Sequence, residues 1–296
     1  MLRKGRAPSP RSASPSGLAA EMPLPRKPTP ILESPNGGDV GATSLRRGLE
    51  ILRTFRSVDG PLGNKEIAER TGLPKATVAR LTYTLVRMDY LRKAGPAGQY
   101  HLGDKVSTLG HALLRGLPVR QIAHPLMAEF AQRHEMPVGL GAGDGAWMVY
   151  LDTCVGPRTV AMRLRVGTEI PMSSTAMGRA YLHAMSADDR EARLRLIEEQ
   201  AGEQAPQVRE RIRLAMQQVA RDGYAVSFGE WKPEIFAVGV PLVLDQGATI
   251  LALNCGARRP HHTEEKFRRV LGPALIDLAG DIANTVASLG MTFWNE

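Results

Sequence analysis

The chain has 296 residues with 43% apolar content, enough for two domains, and it holds no run of eighteen or more apolar residues and no signal-peptide core, so neither a membrane span nor secretion is expected. Its net charge of +8 is unevenly placed: residues 44 to 105 hold twelve Lys or Arg against six Asp or Glu, and residues 106 to 296 hold twenty against twenty-one. Basicity confined to one third of a chain is what a phosphate-binding module needs, because each neutralised phosphate releases a counterion.

Residues 1–42 come first. The first 40 positions hold eight of the 21 prolines, several serines and the basic cluster Arg3, Lys4, Arg6 and Arg11. Such a segment lacks the apolar content to bury a core and is expected to be a disordered arm adding nonspecific attraction to DNA. Translation beginning instead at Met22 is an open alternative.

An ordered helix is expected from Thr43 or Ser44, with Ser44 as N-cap and Leu45, Leu49, Leu52 and Phe55 on one face. From Leu62 to Lys93 the pattern is two short helices and a strand. Asn64 is a plausible N-cap, Ile67 and Ala68 supply an apolar face, and Gly72 tolerates the positive φ of a tight bend. Pro74 suits the first position of a second helix, which should run from about Pro74 to Met88. Val78, Leu81 and Leu85 form its buried stripe and leave Lys75, Ala76, Thr77, Arg80 and Tyr83 on other faces, with Thr82 and Thr84 ambiguous. The recognition helix of a helix-turn-helix enters the major groove by its N-terminal end, so those exposed residues are the DNA-binding candidates. Two strands around Gly95-Pro96-Ala97-Gly98 then make a wing that sets Arg92 and Lys93 beside the DNA backbone. A helical hairpin without a DNA role is the plainer alternative, against which the local charge argues.

The segment Thr71 to Leu81, TGLPKATVARL, resembles the IclR family of bacterial transcriptional regulators, and the likeness extends over residues 44 to 290. The resemblance implies an N-terminal winged helix-turn-helix, a C-terminal effector-binding domain of GAF-like α/β fold, and assembly as dimers or dimers of dimers.

Asp104 to Gly116 is expected as a linker helix, broken at Gly116-Leu117-Pro118, and Gln121 to His134 as an amphipathic helix. Strands follow at Pro137–Leu140 and Trp147–Leu151, joined by Gly141-Ala142-Gly143-Asp144-Gly145. Gly141, Gly143 and Ala146 fit a dinucleotide pattern, but such a loop must open a helix and here a β-rich run follows, so a hairpin turn is expected. A strand is expected over Thr159 to Val166. The stretch from Arg165 to Ala180 then resembles the family's second hallmark: a hydroxyl-rich loop running into a helix that starts at Ser174 or Thr175 and continues to Met185. Ser173, Ser174 and Thr175 at such a helix N-terminus could hold a small carboxylate, or could simply cap the helix. Helices are expected over Asp188 to Gln200 and Pro206 to Asp222, then strands at Gly223–Ser227, Ile235–Leu242 and Ile250–Gly256.

These last strands resemble the family's cavity-lining segments. By motif position the resemblance implies Ser227, Ile235, Ala237, Asn254 and Gly256 as effector-pocket residues, with Met148 as a further wall. Many relatives carry an acid where Ser227 stands. The set suits a small organic acid, aromatic ones included, and Trp231 could stack on it or only cover the sheet.

No nucleophile elbow, metalloprotease helix, P-loop or CxxC occurs, and no catalytic residue, cofactor or metal site is expected. His261 and His262 beside Glu264 and Glu265 fit a loop before a helix capped by Thr263 better than a metal site. Cys154 and Cys255 are expected as buried free thiols, a redox switch being the alternative.

The expected fold is α+β: arm 1–42, winged helix-turn-helix 43–103, linker helix 104–117, effector-binding domain 118–290 and tail 291–296. The expected function is sequence-specific transcriptional regulation from a palindromic double-stranded DNA operator, in the cytoplasm and on the nucleoid, by a homodimer or homotetramer that answers to a small organic acid. The alternatives are a DNA-binding protein whose second domain serves only assembly, and an enzyme with an accessory helix-turn-helix.

Overall fold

The structure is a computed structural model, and it describes residues 43–55, 60–95, 98–156, 165–259 and 262–290. The expected arm at 1–42, the wing tip at Pro96 and Ala97, most of the strand expected over Thr159 to Val166, His261 and the tail lie outside those residues.

Helix α1 (Thr43–Arg53) already contains Ser44, so that serine is not its cap. Its apolar residues are divided. Gly48 and Ile51, three apart, are buried, while Leu45 and Leu49 are 64% and 52% exposed. Only Ile51, Leu52 and Phe55 join the small core beneath; Leu45 and Leu49 ride the neighbouring ridge and stay uncovered.

The helix-turn-helix consists of α2 (Asn64–Thr71) and α3 (Lys75–Arg87), and the strands β1 (Leu62–Gly63), β2 (Leu91–Ala94) and β3 (Gln99–Leu102) form a sheet in the order β1-β3-β2. The N-cap of α2 is Gly63 rather than Asn64: the Glu66 carboxylate accepts from the Gly63 N–H at 3.0 Å. That leaves the Asn64 side-chain oxygen to accept from the Thr82 hydroxyl at 3.1 Å. Thr82 is therefore a fully buried, satisfied core residue beside Val78 and Leu81. Gly72 ends α2 at φ 70°, the left-handed conformation a bend between helices demands.

Helix α4 (Asp104–Arg115) buries none of its residues. Helix α5 (Pro118–His134) starts at Pro118, ahead of the Gln121 start expected, because a proline suits the first helical position.

Strands β4 (Val138–Asp144), β5 (Trp147–Cys154) and β6 (Glu169–Pro171) follow, then α6 (Ala176–Ala184), α7 (Ala187–Ala201) and α8 (Ala205–Asp222). Strands β7 (Ala225–Phe228), β8 (Ile235–Leu244) and β9 (Thr249–Arg258) lead to α9 (Glu264–Lys266), which passes through a π-helical turn into α10 (Gly272–Ser288). The strands form one antiparallel sheet, β6-β5-β4-β9-β8-β7. Helices α5 and α10 cover one face around Leu140, Val238, Leu253 and Leu275, and α6, α7 and α8 cover the other around Met172, Met177, Leu194 and Ile212. The run Glu264–Ser288 is long and apolar enough to cross a membrane, with mean hydropathy 1.2, but Phe267, Leu271, Leu275 and Ile282 are fully buried against the sheet and α5, so its apolar stripe is a core face.

Three local expectations need correction. Strand β6 stands where a hydroxyl-rich loop was expected, and the described end of the Thr159 to Val166 segment, Arg165 and Val166, is not in a strand. The stretch Gly141 to Asp144 is also strand, and the chain turns only at Gly145 and Ala146. The glycines of β4 serve close packing: a Cβ on Gly141 would fall 2.7 Å from Met177 Sδ, and one on Gly143 would fall 2.6 Å from the Tyr181 ring. Helix α6 can settle on the strand only because side chains are missing there.

Gly178 shows the same device from the helix side. A Cβ there would sit 2.2 Å from Met172 Cα and 2.5 Å from Met172 O, both backbone atoms that cannot rotate away. Gly178→Ala is expected to cost about 2–3 kcal/mol, the scale of overpacking. Gly280→Ala, at an exposed α10 site with nothing within 4 Å, should stabilise by about 0.5–1 kcal/mol. Urea melts of the two variants check this; equal effects would refute the packing account.

Candidate functional site

Two regions carry chemistry. The first is the outward face of α3 and the wing. Lys75, Ala76, Arg80 and Tyr83 are exposed and Thr77 is half-buried, so all five lie off the buried Val78–Leu81–Thr82 stripe. Arg92 and Lys93 on β2 are exposed as well, with Arg92 opposite His101 and Lys93 opposite Tyr100. Arg87 belongs with them and was missed; it stands seven residues after Arg80 and four after Tyr83, so helical spacing alone would have found it.

Among the described residues Lys75, Arg80, Arg87, Arg92 and Lys93 make no ion pair. Several arginines of the C-terminal part are matched instead: Arg209 binds Glu191 at 2.7 Å and Glu198 at 2.6 Å, Arg213 binds Glu210 at 2.6 Å, and Arg221 binds Asp222 at 2.7 Å. These ion pairs hold the Glu191, Glu210 and Asp222 carboxyls below their usual range, chiefly through the arginine hydrogen bonds. Helix α3 and the wing thus carry five exposed cations with no carboxylate partner, an arrangement phosphates favour.

The second region is a cavity between the sheet and α6. It is lined by Tyr150, Ile170, Thr175, Ser227, Trp231, Ile235, Ala237 and Asn254. Measured by the centre of a water-sized sphere it is about 10 Å³, roughly one water molecule. Five expected pocket residues meet there: Thr175, Ser227, Ile235, Ala237 and Asn254.

The other four do not line it. Ser173 and Ser174 contribute backbone carbonyls instead, accepting from Arg179 Nε at 3.1 Å and from the Ser227 hydroxyl at 2.8 Å. Met148 is fully buried and paired with Ile170, which takes the wall position in its place. Gly256 is paired with Ala237 inside the sheet and has no side chain to offer. Thr175 is the N-cap of α6: its hydroxyl donates to Pro171 O at 2.6 Å and accepts from the Gly178 N–H at 3.2 Å.

Tyr150, Ile170 and Trp231 complete the wall. Tyr150 reaches it through a β-bulge: Gly141 is opposite Tyr150 but Leu140 is opposite Asp152, so Leu151 is the extra residue of β5. Residues two apart on β5 therefore face opposite sides of the sheet, Tyr150 towards α6 and Asp152 towards α5. Sequence alternation alone would have put both on one face.

Asp152, 2% exposed, meets His124 Nδ1 at 2.9 Å and Arg120 Nε at 3.4 Å from α5. Cys154 Sγ is 3.6 Å from the same His124 nitrogen. Burial and the Asp152 charge push the Cys154 thiol up to about 11, so it is protonated at neutral pH and not a nucleophile. Cys255 is also a buried free thiol, raised by burial. Thr263 caps α9, accepting from the Lys266 N–H at 3.3 Å, as expected.

Next to the cavity, the buried Arg179 guanidinium is held by Glu230 through two hydrogen bonds, one of 2.7 Å from Nη1, and by Ser173 O at 3.1 Å and Val226 O at 3.3 Å. Glu230 precedes Trp231, so this pair fixes the turn that brings the indole to the cavity.

Residues 44–95 match the family described as IclR helix-turn-helix domain, and residues 111–284 match that described as bacterial transcriptional regulator IclR C-terminal. The chain is 35% identical over 241 residues to the HTH-type transcriptional regulator TsaQ1/TsaQ2 of Comamonas testosteroni, covering 81% of this chain and 86% of that protein. A crystal structure of an IclR family transcriptional regulator from Brucella abortus superposes with a TM-score of 0.79 at 39% identity, over 86% of this chain and 96% of that one. An IclR homolog from Microbacterium hydrocarbonoxydans, crystallised with 4-hydroxybenzoate, shares the fold at 22% identity and a TM-score of 0.64, over 83% and 100% of the two chains.

Proposed function

The chain belongs to the IclR family of bacterial transcriptional regulators, a DNA-binding regulator and not an enzyme, and from that premise we propose that it binds a palindromic operator as a dimer and answers to a small organic acid, aromatic ones included, in the cavity beside α6. The observation that carries the DNA half is the gathering of unmatched cations, Lys75, Arg80, Arg87, Arg92 and Lys93, on α3 and the wing. Helix α3 enters the major groove by its N-terminal end, Arg80 reads base edges, and the wing touches phosphates. The protein then acts in the cytoplasm, on the nucleoid.

The effector half draws on a cavity with hydroxyl, amide and aromatic walls and on the 4-hydroxybenzoate complex of the Microbacterium protein. A ligand that binds one conformation of the dimer more tightly shifts it between DNA-competent and incompetent geometries. The small size of the cavity favours a second reading, in which this part of the chain serves assembly alone. Thermal shift with organic acids separates the two, because a ligand of the folded state raises the melting temperature.

The dimer rests on uncovered leucines. Leu109 and Leu113 on α4, 58% and 44% exposed, add to Leu45 and Leu49 on α1, and no α4 residue is fully buried within its own chain, Leu114 alone packing partly against the core. The double substitution Leu109→Glu and Leu113→Glu is expected to yield monomers by analytical ultracentrifugation. It should also weaken operator binding by about a hundredfold, because a monomer holds only one half-site. A variant that stays dimeric would move the interface elsewhere.

The decisive experiment is a mobility shift with the DNA upstream of the protein's own gene, across a salt series and with randomised competitor. Saturable binding that survives competitor supports a specific operator, and sequence-blind, salt-sensitive binding refutes it.

A further inference from the structure

This inference rests on the cavity being the effector site, and concerns what the site reads. None of the side chains lining the cavity is charged. The Arg179 guanidinium, on the helix that Thr175 caps, has committed its donors to Glu230, Ser173 O and Val226 O. Two lining hydroxyls have placed their protons as well: Thr175 donates to Pro171 O and Ser227 to Ser174 O.

Tyr150 and Asn254 differ. The phenol oxygen accepts from Asn254 Nδ2 at 2.8 Å, and among the described residues nothing accepts the phenolic proton. Turning the Asn254 amide over does not change the balance, because the phenol would then donate to the amide oxygen and leave the NH₂ group free. Either way, a buried pair with a surplus donor, the phenolic O–H or an amide N–H, lines the cavity.

The sheet makes room for this pair. Tyr150 is opposite Gly141 and Asn254 is opposite Gly139, so the two side chains meet over the glycines of β4. A Cβ on Gly139 would lie 2.3 Å from the Tyr150 ring and 3.0 Å from Asn254 Oδ1. Burial holds the phenol well above its ordinary titration range, so it remains a donor at any physiological pH.

We propose that Tyr150 and Asn254 are the specificity-determining donor pair of the cavity, reading one oxygen acceptor on a flat aromatic effector, and that recognition runs through this hydrogen bond rather than through the effector's negative charge. Carboxylates, carboxamides and esters on a ring all offer that oxygen. A carboxylate gains a charge-assisted bond but meets no cation, so the advantage over a neutral carbonyl is small. The Trp231, Ile170 and Ile235 walls take the ring, and Trp231, only half-buried, moves outward to admit it.

The test is calorimetry and thermal shift on the full chain with benzoate, 4-hydroxybenzoate, benzamide and toluene, at low and high salt. Benzoate and benzamide are expected to bind within about tenfold of each other, with little salt dependence, and toluene not to bind. Tyr150→Phe, which keeps the ring, should weaken both acceptor ligands by about tenfold or more. Asn254→Ala gives the same comparison should the phenylalanine variant fold poorly. Benzoate binding that both variants leave unchanged overturns the donor pair while leaving the effector site standing, and so does strongly salt-dependent benzoate binding with none by benzamide. No stabilisation of the wild-type protein by any acceptor ligand overturns the effector reading and this inference together.

Discussion

Arg80→Ala is expected to lower operator affinity by about two orders of magnitude or more, because one side chain reading base edges is worth about 1–3 kcal/mol per half-site and a dimer forfeits it twice. Arg80 is exposed, lies off the buried Val78–Leu81 stripe and has no carboxylate to release, so its removal should leave folding unchanged. Lys75→Ala separates position from sequence reading. If the Lys75 ammonium neutralises a phosphate, its removal should weaken all DNA sequences alike and flatten the salt dependence by about one counterion per site, whereas Arg80→Ala should also relax the preference at one base position. Fluorescence anisotropy against operator and randomised duplexes at several salt concentrations measures both. Wild-type affinity in the Arg80 variant would remove α3 from the groove.

Glu230→Gln is expected to be the most damaging single change in the C-terminal part. Arg179 is 4% exposed and its two carbonyl partners cannot neutralise it, so loss of the Glu230 charge strands a buried cation. Breaking a fully buried pair costs about 3–5 kcal/mol, and because Glu230 is 35% exposed, water recovers part of this, leaving about 2–3 kcal/mol. In a protein of this size that lowers the melting temperature by roughly 2–4 °C per kcal/mol. Arg179→Met combined with Glu230→Gln should be less destabilised than the sum of the single changes, since the stranded charge is gone. Additive effects in calorimetric melts would show that the pair is not coupled.

The N-terminal half was legible because its instructions are local. Gly72 and Pro74 stand where a bend between helices needs a left-handed residue and a helix start, and the Val78–Leu81 stripe sets which side of α3 faces out. The same reasoning failed at α1, where spacing grouped Leu45 and Leu49 with Leu52 although Ile51, not either of those two leucines, enters the core. It failed at Asn64 too, because Glu66, three residues after Gly63, satisfies the Gly63 N–H and releases Asn64 to Thr82.

In the cavity, the sequence named Ser227, Ile235, Ala237 and Asn254 through motif position and Thr175 through its place at a helix N-terminus, but put Ser173, Ser174, Met148 and Gly256 among them. Side-chain direction there depends on strand register, and register is set by partners distant in sequence. A single extra residue at Leu151 aims Tyr150 at the cavity and Asp152 at α5, and nothing within β5 itself announces it. The glycines of β4 read as a turn because the helix that needs their missing side chains begins more than thirty residues later. By itself the sequence determined the main helices, the helix-turn-helix and its basic face, since each rests on interactions within a few residues. Only the tertiary structure decided which polar groups share a buried space and which keep a free donor, because burial and hydrogen-bond partners come from chain segments that the sequence holds far apart.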